Sequence, residues 1–252
     1  MELRVACLML SMCAIPMGLQ AQSEAPDSDR PVSWKKLLPN IVNDQKSIWL
    51  FPLNLAQGKD YVPTAAVLGT TAGLIALDPY DAPYFRRTSD FRGFNRIFAS
   101  NNTALGTVLA PVSLYVAGLV RKDSKMQHTA LLAGEAVADA EILTTFLKDA
   151  TRRVRPAALP PHGNFADTWF ESKGPVYRGD GSFPSGHTIA AFSVATVVAR
   201  RYGNHRWVPY AAYTLAALVG FSRLPLSAHF LSDVFMGGAL GYSISRFAVL
   251  RQ

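Results

Sequence analysis

The chain reads as an all-α bundle of about six apolar helices, and three observations say so. Its 252 residues are enough to bury one sizeable core. The composition is 49% hydrophobic and only 17% charged, too apolar for disorder and more sparsely charged than an ordinary soluble domain. Six segments rich in Ala, Gly, Leu and Val also recur after residue 60, each too long to be an ordinary strand.

Taken in order, residues 1–23 hold a short charged start (Glu2, Arg4), an apolar run, and the small Ala21 ahead of polar sequence. That run of about 15 residues falls short of the roughly 20 needed for a membrane span, so residues 1–21 read as a secretory signal peptide. Both cysteines, Cys7 and Cys13, lie inside it, which leaves the mature chain without disulfide or thiolate chemistry. Residues 22–32, with Pro26 and Pro31, read as a disordered leader. Trp34, Leu37, Leu38 and Ile41 then follow at helical spacing beside Lys35 and Lys36. They describe either an amphipathic helix on a membrane surface or a helix packed over the bundle. The leader and this segment occupy 22–60, and one helical domain occupies 61–252.

The six apolar segments are 62–77, 104–120, 129–147, 187–199, 208–221 and 230–250. Between them stand stop signals: Asp78-Pro79, a charged stretch at 121–125, Arg155-Pro156, a polar stretch at 200–204, and Pro225. The connection 157–183 is long, irregular and furnished with Phe165, Trp169, Phe170 and Tyr177. A loop of that length in a compact bundle is more often functional than idle, and its aromatics are expected to set substrate choice.

Twenty-five Lys and Arg against 18 Asp and Glu give a net charge of +7, which favours an anionic partner. Three polar stretches at helix ends could receive one. In KDATRRVRP, Lys148 and Arg155 lie close to two helical turns apart and share a face if the helix persists to Pro156; Arg152 reads as a solvated neighbour. Basic residues in a last helical turn also simply favour the helix dipole. In GSFPSGH, Pro184 suits a first helical turn, while Ser185, Gly186 and His187 could offer a hydroxyl and free N–H groups to an anion. Plain N-capping by Ser182 or Ser185 is the alternative. In SRLPLSAHFLSD, His229 and Asp233 are helical neighbours in which the carboxylate can hold the imidazole, and Arg223 could fold back beside them. The pair could equally be metal ligands or a surface ion pair, although no third strong ligand stands at a suggestive spacing.

In this order, Lys-x6-Arg-Pro, Pro-Ser-Gly-His and Ser-Arg-x5-His-x3-Asp resemble the signature of the type 2 phosphatidic acid phosphatase (PAP2) and vanadium haloperoxidase superfamily. The resemblance runs from about residue 61 to the C-terminus. It implies phosphoryl transfer without metal or other cofactor. His229 would be the nucleophile, Asp233 its orienting carboxylate and His187 the general acid and base. Lys148, Arg155, Ser185, Gly186 and Arg223 would surround the phosphoryl group. The implied substrate is a phosphorylated lipid or small phosphate ester, with no nucleic acid partner, and the implied place is the cell envelope. A vanadate-dependent haloperoxidase or a non-catalytic envelope scaffold are the alternatives.

Orientation sets the sequence against that resemblance. If all six segments span after an exported leader, three crossings precede Lys148 and leave the site in the cytoplasm, whereas exported phosphatases face the other way. The third segment carries Glu135, Asp139 and Glu141, each costly at a bilayer centre. The expectation is therefore a periplasm-facing site in a bundle that is soluble or partly inserted, membrane-associated through apolar surface or the Trp34 helix.

Overall fold

The computed structural model describes residues 30–175 and 179–251; the expected signal peptide, most of the leader and Tyr177 lie outside the described residues. Among the described residues there are eight α-helices and no strand. They are α1 (Leu37–Ala56), α2 (Tyr61–Arg87), α3 (Arg92–Ile97), α4 (Ser100–Arg121), α5 (Ser124–Thr151), α6 (Gly186–Arg201), α7 (Trp207–Ser222) and α8 (Leu231–Ser243). A 3-10 turn (Pro156–Ala158) follows α5, and a π-helical turn (Ile244–Val249) ends the last expected segment.

Helix α6 is central, packed against α5, α7 and α8. Leu132, Ala136, Ala140, Ile189, Val197, Ile244 and Val249 form the main core. Small residues bring α8 onto α6: a Cβ on Gly237 would stand 2.8 Å from the Ser185 carbonyl, and one on Gly241 would collide with the carbonyl of Ile189. This close approach lets the Ser185 N–H donate to the Asp233 carbonyl at 3.0 Å, joining the two stretches that start these helices.

Two stop signals and one start signal act differently from expectation. Asp78-Pro79 does not end α2, which continues through Pro79 and Pro83 to Arg87. Asp78 is fully buried and held by Arg153 and Ser232, so tertiary anchoring overrides the local cost of proline. Helix α5 ends at Thr151, four residues before Arg155, with Arg152 left-handed at φ 43°. Pro156 disfavours helical geometry at the residue before it, and Arg155 is extended (φ −77°, ψ 147°). Pro184 precedes α6 and follows a cis peptide bond instead of occupying the first turn.

The segment from Arg30 onward is packed down. Val32 joins the core, and Arg30 bridges Asp44 on α1 and Glu135 on α5. Asn40 donates to Glu135 at 2.8 Å and Gln45 to Asp139 at 2.9 Å. Glu135 and Asp139 are thus engaged inside the protein and do not face outward. Helices α2 and α4, by contrast, are each long and apolar enough to cross a membrane and are largely uncovered. Leu68, Leu77, Leu105, Val108, Val112 and Val116 lie exposed along them.

Candidate active site

Four chain segments meet at one end of the bundle. The C-terminal end of α5 brings Lys148, whose Nζ stands 3.4 Å from the position a Cβ would take on Gly186 at the start of α6. The ammonium therefore lies over the α6 N-terminus, where free N–H groups favour an anion. Lys148 and Arg155 do converge, although not as two turns of one helix: the chain leaves α5 and returns Arg155 through an extended residue. Its Nε donates to the Asp180 carbonyl at 3.3 Å. The backbone of Gly181 presses on the end of α5, a Cβ there coming 2.7 Å from the Lys148 carbonyl.

Ser185 is fully buried and stands at the N-cap of α6, yet its hydroxyl caps no backbone group. It shares a hydrogen bond of 2.8 Å with the Thr188 hydroxyl. His187 donates from Nε2 to the Ser100 carbonyl at 3.1 Å. Arg223, fully buried at the end of α7, donates to the Phe98 carbonyl at 2.6 Å and the Ser100 hydroxyl at 3.1 Å. The short connection between α2 and α4 is thus part of the site, a contribution no sequence pattern announced.

His229 precedes α8 and Asp233 is its third residue, so the two are not stacked one helical turn apart as expected. Phe230 and Asp233 instead form the helix start, the Phe230 N–H donating to the carboxylate at 2.8 Å. The His229 Nδ1–H donates to the Ser182 carbonyl at 2.7 Å, with the Asp233 carboxylate 3.6 Å away. A proton held on Nδ1 leaves the lone pair on Nε2.

Burial dominates the electrostatics of this end, and three cations add to it. Burial pushes His229 down to about 4, with Arg155 and Lys148 adding to the effect and Asp233 opposing it. His187 is likewise lowered to about 4 by burial and by Arg223, Lys148 and Arg155. Arg223 is lowered to about 10 by burial and Arg155, and Lys148 is lowered by burial and Arg155. Burial alone would raise the Asp233 carboxyl, but His229, Arg153 and Ser182 outweigh it and hold it below the usual range. The arrangement is short of negative charge, which favours an anion at this end.

Sequence reasoning missed Arg153, which is buried and paired with both Asp78 and Asp233. No residue-type signal distinguishes it from Arg152 and Arg155 on either side, whose partners are different. Arg152 is no solvated neighbour, since it donates to the carbonyls of Ser172 and Gly174 and pins the long loop to α5.

Part of the sequence matches known proteins. Residues 129–252, just under half of the chain, fit the family model of the PAP2 superfamily. It is 44% identical over 61 residues to a lipid A 1-phosphatase of Porphyromonas gingivalis, covering 24% of this chain and 14% of that one. It is 28% identical over 107 residues to a lipid A 4'-phosphatase of the same organism, covering 42% of this chain and 43% of that one. A phosphatidylglycerophosphatase B of Bacillus subtilis is 33% identical over 108 residues, covering 40% and 46%. The matched stretches thus span less than half of each relative. The crystal structure of a transmembrane PAP2-type phosphatidylglycerolphosphate phosphatase from Bacillus subtilis aligns over 82% of this chain and 94% of its own, with 25% identity and a TM-score of 0.44.

Proposed function

We propose that this protein is a phosphatase that hydrolyses a phosphorylated lipid at the cell envelope through a phosphohistidine on His229. The observation that carries the reading is the meeting of Lys148, Arg155, Arg223 and the α6 N-terminus at one end, beside a neutral His229 whose Nε2 holds the lone pair. The His229 Nε2 attacks phosphorus as the bond from phosphorus to the leaving oxygen breaks. His187 gives that oxygen a proton. It then takes a proton from the water that attacks the phosphohistidine, breaking the N–P bond and releasing phosphate. The cations, the Ser185 hydroxyl and the Gly186 N–H hold the equatorial oxygens, where charge is spread in the transition state.

Resting His187 is neutral at pH 7. Burial is the main cause of its depression and the three cations add to it; a bound dianion offsets the cations' share and so moves it back toward the range of a general acid. The exposed apolar faces of α2 and α4 support insertion in the bilayer, where the lipid would be met. The names of the relatives support a lipid phosphate as substrate, and an exported leader supports a periplasmic site only together with a crossing by α1.

The test is a panel of lipid phosphates, including lipid A and phosphatidylglycerophosphate, with a soluble aryl phosphate, assayed on purified protein in detergent. Turnover is expected on at least one lipid, unaffected by chelator and inhibited by vanadate. His229→Ala is expected to abolish it. An active His229→Ala protein, or strict dependence on added divalent metal, overturns the mechanism.

A further inference from the structure

Behind His229 lies a charged unit outside the three signature stretches. Arg153 is 1% exposed and spends its guanidinium on two carboxylates. Nη1 donates to Asp233 at 2.6 Å and to the Ser232 hydroxyl at 2.7 Å, and Nη2 donates to Asp78 at 2.6 Å. The guanidinium also stacks on Phe230, 3.9 Å from its ring centre, and on Trp169 at 4.4 Å. Asp78 accepts from the Ser232 hydroxyl at 2.5 Å and the Ser232 N–H at 3.2 Å. Asp233 gives one oxygen to Arg153 and the other to the Ser182 hydroxyl (2.5 Å) and Phe230 N–H. Every oxygen of both carboxylates is thereby assigned.

Charge balance gives this geometry a purpose. Arg153 alone would neutralise Asp233 and leave the ring of His229 without a counter-charge. With Asp78 present, the unit Asp78–Arg153–Asp233 carries one net negative charge, and the set becomes neutral when His229 turns cationic. We propose that Arg153 and Asp78 are positioning residues for phosphoryl transfer, fixing Asp233 beside Nδ1 of His229 and leaving its charge available to the phosphorylated ring. The inference rests on the phosphohistidine reading. The guanidinium of Arg153 and the carboxylate of Asp78 are taken up by each other, Asp233 and Ser232, and neither is among the groups proposed to hold the phosphoryl group. Their loss therefore reaches turnover through His229 and leaves phosphate binding alone.

The experiment compares the wild-type protein in detergent with Asp78→Asn, Asp78→Glu and Arg153→Lys, and runs His229→Ala beside them. Asp78→Asn keeps the shape while removing one charge and one of the two acceptor oxygens that Ser232 and Arg153 share. Its kcat is expected to fall about tenfold, the factor that one unit of histidine pKa represents. KM and the inhibition constant of inorganic phosphate should stay within about twofold, since the groups that bind phosphate are untouched. The acid limb of the kcat/KM profile should move to lower pH, and Asp78→Glu should restore it. Arg153→Lys, with a single-point cation in place of the fork, should show the same loss in kcat at constant KM. Wild-type kcat and an unmoved acid limb in Asp78→Asn overturn the proposal. So does a loss shared equally by phosphate affinity, melting temperature and kcat, or failure of both Asp78→Asn and Arg153→Lys to fold, because these assign the pair to folding alone. An active His229→Ala protein instead overturns the phosphohistidine reading, whatever the Asp78 variants do.

Discussion

His229 gives its Nδ1 proton to the backbone carbonyl of Ser182 at 2.7 Å, while the carboxylate of Asp233 stands off at 3.6 Å. The backbone therefore fixes the tautomer, and Asp233 acts on the ring mainly through its charge. Ser182→Ala keeps the carbonyl and removes only the hydroxyl bond to Asp233, so kcat should fall less than about fivefold, with a stability loss of about 1 kcal/mol. Asp233→Asn removes the charge and should lower kcat by about 100-fold or more. It also strips a buried partner from Arg153, so its melting temperature should drop as well. Equal kcat losses in the two variants would contradict this division of labour.

Acid should destabilise the protein before it reaches the carboxylate range. His229 is lowered to about 4 from 6.5, so between those values the unfolded chain binds more protons than the folded one. Its contribution is then fully present above pH 6.5 and is lost as pH falls toward 4, a total on the order of 3 kcal/mol. The depressed Asp233 extends the loss to lower pH. Melting in detergent at pH 7 and pH 5 should show a clear drop, shallower in His229→Gln. A flat profile over that interval would refute the buried neutral imidazole.

The two aromatics of the long loop should separate in assay. Trp169 lies against Arg153 and, at 5.2 Å between ring centres, Phe183. Phe170 is 72% exposed in a left-handed conformation at φ 62°. Trp169→Ala should lower stability by about 2–3 kcal/mol and reduce turnover of lipid and soluble esters together. Phe170→Ala should leave the melting temperature in place and weaken activity on lipid only. The reverse pattern would return recognition to Trp169.

How far the sequence was legible follows from where each signal resided. Apolar periodicity located the helices carrying the site, and Asp123, whose side chain accepts from the Met126 N–H at 3.0 Å, starts α5 as a local capping rule expects. The signature residues Lys148, Arg155, Ser185, Gly186, His187, Arg223, His229 and Asp233 converge because α5, α6, α7 and α8 all end or begin at the same place. Asp78 was hidden because its partner is 75 residues away and Pro79 beside it imitates a stop. Phe98 and Ser100 were hidden because they act through a backbone carbonyl and a common hydroxyl, which leave no residue-type pattern. Arg153 was masked by two neighbouring arginines with other tasks.

Helix packing should control catalysis as strictly as the polar residues do. Gly237→Ala would set a methyl 2.8 Å from the Ser185 carbonyl and 3.2 Å from the Thr188 Cβ. Backbone cannot yield cheaply there, so α6 must move off α8 and take Ser185 and Gly186 with it. A stability loss of about 1–3 kcal/mol is expected, with phosphate affinity falling as well. Gly134→Ala, where a Cβ meets nothing within 4 Å in the interior of α5, is the matched control and should leave phosphate affinity unchanged with stability equal or raised by up to about 1 kcal/mol. Normal phosphate binding in Gly237→Ala would break the link between this contact and the site.

Sidedness can be settled by labelling, because α2 and α4 tie the site to one end of a helical hairpin. Their connection bears Phe98 and Ser100, which bond Arg223 and His187. Residue 90 therefore shares the face of the site, and residues 59 and 122, at the far ends of α2 and α4, share the other. The 22 residues of α4 reach about 33 Å, sufficient for a hydrocarbon core of about 30 Å. With the site in the periplasm, residue 60 lies in the cytoplasm, so an exported leader requires α1 to cross too. Its Asn40 and Gln45 reach Glu135 and Asp139 on α5, while Leu38, Val42, Leu50 and Leu53 face outward. The cysteines at 7 and 13 are first replaced by serine, and single cysteines are then placed by Asp90→Cys and Lys122→Cys. An impermeant maleimide should label the first in cells with an intact inner membrane and the second only after that membrane is opened. Labelling of the second alone would turn the site inward, and labelling of both would show that the hairpin does not cross.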